Sequence, residues 1–427
     1  MSRRKLDPEL FVVYDEPSTL KKTRTAAKPI GEAGRARQAR MATARNLRPC
    51  GREATCGMRP SSGLKSVDFV RNANTGDVRA DGCHVCGSLW TCPICAANIS
   101  ETRCQELQSA TRTWIATGNC VLMATLTVPH LHHECLDNLY LRLKDAMARL
   151  RGSRAYKDAM ASTLGVVRAV EVTYGEANGW HPHFHILIFQ SGRITDEQLV
   201  NLRLTLSAAW QKSAVAAGFS PPDLHIGCNL VHGVSVEERL AAYLAKMGRD
   251  LPPPTDRDQL TARQWGAECE LSKWHTKRAK GPDRFSPFAL LDAYQAARKS
   301  SEKSKFRALW LEYASAMKGQ RQLVWSRGLK DALRRLGASI GEQTDEEAAL
   351  PDCSAENVVA VVSVEEWRWI VGFRLAAPLL AALSRVPSQA TADAFRRTAR
   401  DRREALRSQR WRREEKPLFD ILPHVAA

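Results

Sequence analysis

The hydrophobic pattern changes period several times along the chain, and each change marks an element. Cys120-Val121-Leu122-Met123-Ala124-Thr125-Leu126-Thr127-Val128 is an apolar run closed by Pro129 and His130, which predicts a buried strand. Leu136, Leu139, Leu143, Met147 and Leu150 then recur at helical spacing, giving an amphipathic helix over about 134–151. Val166 to Tyr174 is rich in β-branched residues and reads as a second strand. Gly175-Glu176-Ala177-Asn178-Gly179 supplies the turn residues of a hairpin. The strand after it, ending at Phe189, carries three histidines at alternate positions and then an unbroken apolar run, the pattern of a strand buried on both faces. Leu199, Leu202, Leu206 and Trp210 mark a second helix over about 195–217, and Leu224 to His232 a fourth strand. Val236 to Gly248 follows as a short helix, with Glu237 and Glu238 in its first turn where the helix dipole favours acids. The order β-α-β-β-α-β predicts an α+β fold: a split βαβ (ferredoxin-like) antiparallel sheet with helices on one face.

The flanks divide by composition. Residues 1–48 are basic and poor in large apolar residues, the signature of a flexible arm. Residues 49–110 are rich in cysteine, 111–250 hold the alternating pattern, and Pro252-Pro253-Pro254 opens 251–340, a helical region. Its Trp265, Trp274, Trp310 and Trp325 stand among basic residues, which suits either base stacking or helix packing. An acidic, Pro-containing linker over 341–357 precedes a basic helical tail over 358–427, read either as a DNA or partner contact or as a solvated charged face.

Charge and cysteine usage narrow the setting. The formal net charge is +17, from 63 Lys+Arg against 46 Asp+Glu, and a polyanion, nucleic acid by default, is the partner such a surplus favours. No uncharged apolar run is long enough to span a bilayer, and the N-terminus has no signal-peptide core. Among 12 cysteines, the close Cys-x2-Cys spacings fall in one stretch, which points to metal rather than disulfides and to a cytoplasmic protein.

Three groups carry the chemistry. Cys92-Pro93-Ile94-Cys95 forms a knuckle that Cys86 and one of Cys83, His84 or Cys50 would complete as a tetrahedron, and zinc suits such a donor set. An iron–sulfur cluster or unliganded thiols are the rival readings. Side chains alternate along a strand, so His183 and His185 emerge on one side and Phe184, Ile186 and Ile188 on the other. A hairpin brings Glu171 opposite His183 with matching parity, making a two-histidine, one-carboxylate metal site; satisfied core histidines are the duller reading. Finally, Arg239 and Lys246 flank Tyr243 at i−4 and i+3 on a helix, where cations lower a phenol's pKa and hold a phosphate. Such a tyrosine can attack a phosphorus atom to give a phosphotyrosyl intermediate.

Together His183-Phe184-His185, Leu126-Thr127-Val128, Tyr243-Leu244-Ala245-Lys246 and the cysteine knuckle resemble the rolling-circle replication initiators of bacterial plasmids. Gly179-Trp180-His181, Pro287-Phe288 with Leu290-Leu291, and Trp310 are similar to that family too, so the likeness covers about residues 48–335. The resemblance implies recognition of a plasmid double-strand origin and nicking of one strand with Mg2+ or Mn2+. Tyr243 would join the 5′ phosphate and leave a 3′ hydroxyl as primer for the host helicase and polymerase. His183 and His185 carry over as metal ligands, with Glu171 or His181 as the third. Position 247, where some relatives place a second tyrosine, is Met247, and the place of a water-activating glutamate is taken by Arg239. Glu237, Glu238, Glu268 or Glu270 would have to act instead. A relaxase or transposase of the same chemistry, or a zinc-containing DNA-binding regulator, are the alternatives.

Overall fold

The computed structural model describes residues 32–72, 78–234, 284–350 and 356–414. It begins with helix α1 (Glu32–Leu47), followed by a short 3-10 turn over Arg52–Thr55, and strands β1 (Ser66–Asn72) and β2 (Val78–Ala80). Helix α2 (Pro93–Ala116) has Cys92 as its N-cap and Pro93 in its first turn, where the missing N–H costs nothing. At 24 residues it is about 36 Å long, enough to run from the cysteine-rich segment to the central sheet. There the Trp114 indole donates to the Gln190 carbonyl at 3.1 Å.

The central elements follow the order read from the hydrophobic periods. They are β3 (Cys120–Leu126), α3 (Leu136–Gly152), a short α4 (Arg154–Ala159), β4 (Thr163–Gly175), β5 (Gly179–Gln190), α5 (Asp196–Ala216) and β6 (Cys228–Val234). The four long strands form an antiparallel sheet in the order β6-β3-β5-β4, the split βαβ arrangement. Helix α5 starts cleanly because Thr195 and Gln198 form a reciprocal capping box. Two short strands absent from the sequence reading, β7 (Arg284–Phe285) and β8 (Leu323–Trp325), extend the sheet beyond β4. At two and three residues they carry too little alternation to be read as strands.

Helices α6 (Pro287–Ala296) and α7 (Ser300–Ala316) join α3 and α5 over one face, where Ile186, Ile188, Trp210, Phe288 and Trp310 share a core. Trp310 is fully buried there, so of the two readings of that tryptophan the packing one holds. Among the described residues, an apolar cluster covers the opposite face at one end. Val121, Met123, Leu187 and Phe189 meet Leu107, Ala110 and Trp114 of α2 and Leu329 and Leu333 of α8 (Leu329–Arg335). Toward the other end of that face the register replaces apolar rows by polar ones: Thr125 beside His185, then Glu171 beside His183, then Thr173 beside His181.

The flanks are more integrated than composition implied. Met41 and Ala44 of α1 are fully buried in the main core, so residues 32–47 of the expected flexible arm are a packed helix. Within the expected linker, α9 (Asp345–Ala348) is capped by Thr344 and Glu347 and docks on α2 through an Arg103–Asp345 pair at 2.8 Å. The expected helical tail opens with a strand, β9 (Glu356–Ser363), which pairs with β1 in a three-stranded sheet ordered β2-β1-β9. Helices α10 (Val364–Gly372), α11 (Ala376–Arg385) and α12 (Gln389–Glu414) pack on it around Phe69 and Trp367. Composition could not reveal this, because the small core joins residues near 70 to residues beyond 355.

Candidate metal centres

The cysteine cluster is built from two directions. Cys92 and Cys95 lie at the N-terminus of α2, whose dipole favours thiolates, and the Cys95 N–H donates to Cys92 Sγ at 3.4 Å. Cys86 lies just before them and receives the Ser88 N–H at 3.4 Å. The fourth member is Cys56, 3.5 Å from Cys95 and 3.7 Å from Cys92, while Cys86 lies 3.7 Å from Cys95. A tetrahedron with four sulfurs about 2.3 Å from an ion has edges of about 3.8 Å, so the donor set fits zinc without rearrangement.

Cys56 replaces the three candidates of the sequence reading. Cys50 is exposed, His84 is exposed, and Cys83 sits beside Trp367, with burial raising its thiol to about 11. No Cys-x2-Cys spacing marks Cys56, and what brings it in is local packing. Glu53, in the turn just before it, is buried and held by Arg48 at 2.6 Å and Thr91 at 3.1 Å. The Gly57 N–H donates to the His84 carbonyl at 2.8 Å. Arg45 also donates to the Cys56 carbonyl, placing a buried guanidinium against the thiols. Burial pushes the Cys92 thiol up, whereas its three neighbours donate to Cys56 and hold it down. A divalent cation would let all four ionise.

The second centre lies on the polar end of the sheet face. Glu171 and His183 are direct cross-strand partners, and His185 follows on the same face. All three are buried, and one ligand atom from each lies within 4.8 Å of the others. Glu171 Oε2 is 3.0 Å from His185 Nε2 and 3.6 Å from His183 Nε2. With donor separations of 3.0 and 3.6 Å, the three side chains can close on a single divalent ion.

The outer nitrogens of both histidines are engaged. His185 Nδ1 is 3.1 Å from Thr125 Oγ1, and His183 Nδ1 donates to the His181 carbonyl at 3.3 Å. A proton on each Nδ1 leaves each Nε2 lone pair turned toward Glu171, the orientation a metal requires. Thr125 was not singled out by sequence, because its partner is set by register across β3 and β5 rather than by spacing. His181 lies beside the triad, its ring centre 5.0 Å from that of His183, and its Nδ1 meets His130 Nε2 at 2.9 Å. Burial first, then the nearby His183 and His130 imidazoles, pull it down to about 3. Glu171 groups with the two metal-motif histidines, while His181 is engaged with His130. Tyr243, Lys246 and Arg239, with Glu237, Glu238, Glu268 and Glu270, lie outside the described residues.

Residues 78–213 match the family described as replication protein. The chain carries a replication-protein domain. That span holds Cys86, Cys92, Cys95, Glu171, His183 and His185, leaving Cys56 upstream of it. A protein named "Protein rep" from Streptomyces lividans is 26% identical over 73% of this chain and 76% of its own length. A "Neomycin resistance protein" from Streptomyces cyanogenus is 26% identical over 49% of this chain and 57% of its own length. A "Protein rep" from a Bacillus species is 31% identical over 29% of this chain and 39% of its own length. No solved structure matches. The replication-protein domain thus contains the entire Glu-His-His centre, and none of its described helices is long and apolar enough to cross a membrane.

Proposed function

We propose that the chain initiates rolling-circle replication of a plasmid by nicking one strand of its double-strand origin. The observation that carries this reading is the buried Glu171-His183-His185 set on a sheet face within a replication-protein domain. Bound Mg2+ or Mn2+ would supply positive charge to polarise the scissile phosphate and offset charge developing on its oxygens. Thr125 and the His181 carbonyl hold the two imidazoles so that their Nε2 atoms face that phosphate site.

Tyr243 is the nucleophile in this proposal. Its Oη bonds to phosphorus as the bond from phosphorus to the 3′ oxygen breaks. The phenol gives up its proton, and the departing oxygen gains one to become a 3′ hydroxyl. The phosphodiester is exchanged for a phosphotyrosine, so the bond energy is kept for later rejoining. Arg239 and Lys246 steady the phenolate and the phosphate. The 3′ hydroxyl then serves host polymerase as primer while a helicase opens the duplex. Cys56, Cys86, Cys92 and Cys95 would hold a structural zinc, securing the start of α2.

The test is relaxation of a supercoiled plasmid carrying the origin, with Mn2+, by the wild type, Tyr243→Phe and His185→Ala. Both variants should bind the origin yet fail to nick it. Nicking by Tyr243→Phe at the wild-type rate would remove the tyrosine from the mechanism; nicking by His185→Ala would remove the metal centre.

A further inference from the structure

A cavity of about 450 Å³ opens at the β4 edge of the sheet, between the end of α3, α4, the first residues of β4, and β8 with the residues after it. Its volume is in the range of sites for small ligands, roughly 300–1,000 Å³. The charge lining it is one-sided. Arg151, Lys157, Arg168 and Arg327 contribute to its wall, and no aspartate or glutamate does. Nearby Arg149 and Arg154 are each paired with an acid four residues away. Among the described residues, no carboxylate pairs with the four cavity cations.

Arg168 is the most telling of them. It is half-buried, with its guanidinium carbon 4.7 Å from the centre of the Phe184 ring. Burial, with Arg151 close by, draws its pKa down. Withdrawing one cation from water beside another is unfavourable unless an anion joins them. The cavity also offers Tyr156 as an aromatic wall; Trp325 borders it from β8, opposite Val167, with its ring packed on the other face of the sheet beside Lys330. The wall is closely built: the Val166 N–H donates to Ser326 Oγ at 2.9 Å, and a Cβ on Gly165 would come within 2.4 Å of that oxygen.

We propose that this cavity is a nucleotide-phosphate subsite. Arg151, Arg168, Lys157 and Arg327 hold the phosphate, and Tyr156 takes the base or sugar. Guanidinium groups suit phosphate oxygens, and aromatic faces accept any base. Arg168 and Glu171 have opposite parity on β4, so the cavity lies on the sheet face away from the metal centre. The subsite needs nothing from the chemistry at Tyr243.

The experiment uses the full chain without added divalent metal, and two probes. One is a fluorescent single strand of mixed sequence bearing a photoreactive base, and the other is ATP as a free nucleotide. Two of the cations are removed together in Arg151→Gln/Arg327→Gln, and Arg385→Gln/Arg407→Gln serves as a charge-matched control. Crosslinks to the peptide containing Tyr156 are expected. The cavity variant should lose them and bind the affected probe more weakly than the control does. If the strand is the ligand, its binding becomes less salt-dependent, the log–log slope falling by about 0.7 for each phosphate the variant no longer holds. Weakening confined to ATP identifies a free nucleotide as the source. Crosslinks found only elsewhere, or equal weakening in both double variants, would overturn the proposal.

Discussion

At the residue scale, single side chains decide how the two candidate centres are completed and flanked. Cys56 closes the thiol cluster, so Cys56→Ser should cost the protein its bound zinc while Cys50→Ser, at an exposed position, keeps it. Metal content of the purified proteins reads this directly, and the opposite pattern would restore Cys50 as a ligand. His181 makes a different prediction. Its folded pKa of about 3 lies below the ordinary 6.5, so the unfolded chain binds the proton more readily. The stability it contributes is complete above pH 6.5 and is lost progressively as pH falls toward 3. Proton NMR should accordingly find the His181 ring neutral down to about pH 5. A ring that titrates near 6.5 would mean that its burial against His130 is not maintained.

At the element scale, the β4–β5 hairpin is the piece that creates the candidate metal site, because its register sets Glu171 opposite His183. Its turn depends on Gly179, which has φ +75°, and whose added Cβ would fall 2.3 Å from the His132 carbonyl oxygen. Gly179→Ala should therefore lower stability by about 2 kcal/mol or more, through left-handed strain plus the clash. Denaturant unfolding measures the drop, and an unchanged midpoint would show that the turn relaxes freely. Helix α2 has a comparable role. It bears two cysteines at its first turn and inserts Leu107, Ala110 and Trp114 against the sheet, so removal of zinc should also loosen the face that holds the histidines.

At the scale of the whole molecule, the chain folds back on itself. β9 pairs with β1, and Trp367 packs edge-on against Phe69 with ring centres 5.5 Å apart. The Trp367 indole also donates to the Met58 carbonyl at 2.9 Å, two residues past Cys56. Trp367→Ala is expected to cost about 3–5 kcal/mol, the range for emptying a large core site. Limited proteolysis of that variant should cut within residues 356–414 and near Met58, whereas the wild type resists at both. Cleavage confined to residues 356–414 would mean that the small sheet does not brace the cysteine cluster.

Sequence alone determined the central β-α-β-β-α-β order and the shared face of His183 and His185, with Glu171 as a candidate opposite them. These rest on local periods and one short hairpin, where side-chain direction follows from backbone geometry. The Cys-Pro-Ile-Cys knuckle is legible for the same reason, since both thiols lie within one turn. Tertiary structure alone decided the rest. Cys56 rather than Cys50, Cys83 or His84, Thr125 behind His185, β9 beside β1, and the cations gathered around Arg168 all join residues far apart in the chain. Their proximity is fixed by packing of distant segments, and no spacing or period along the chain records it.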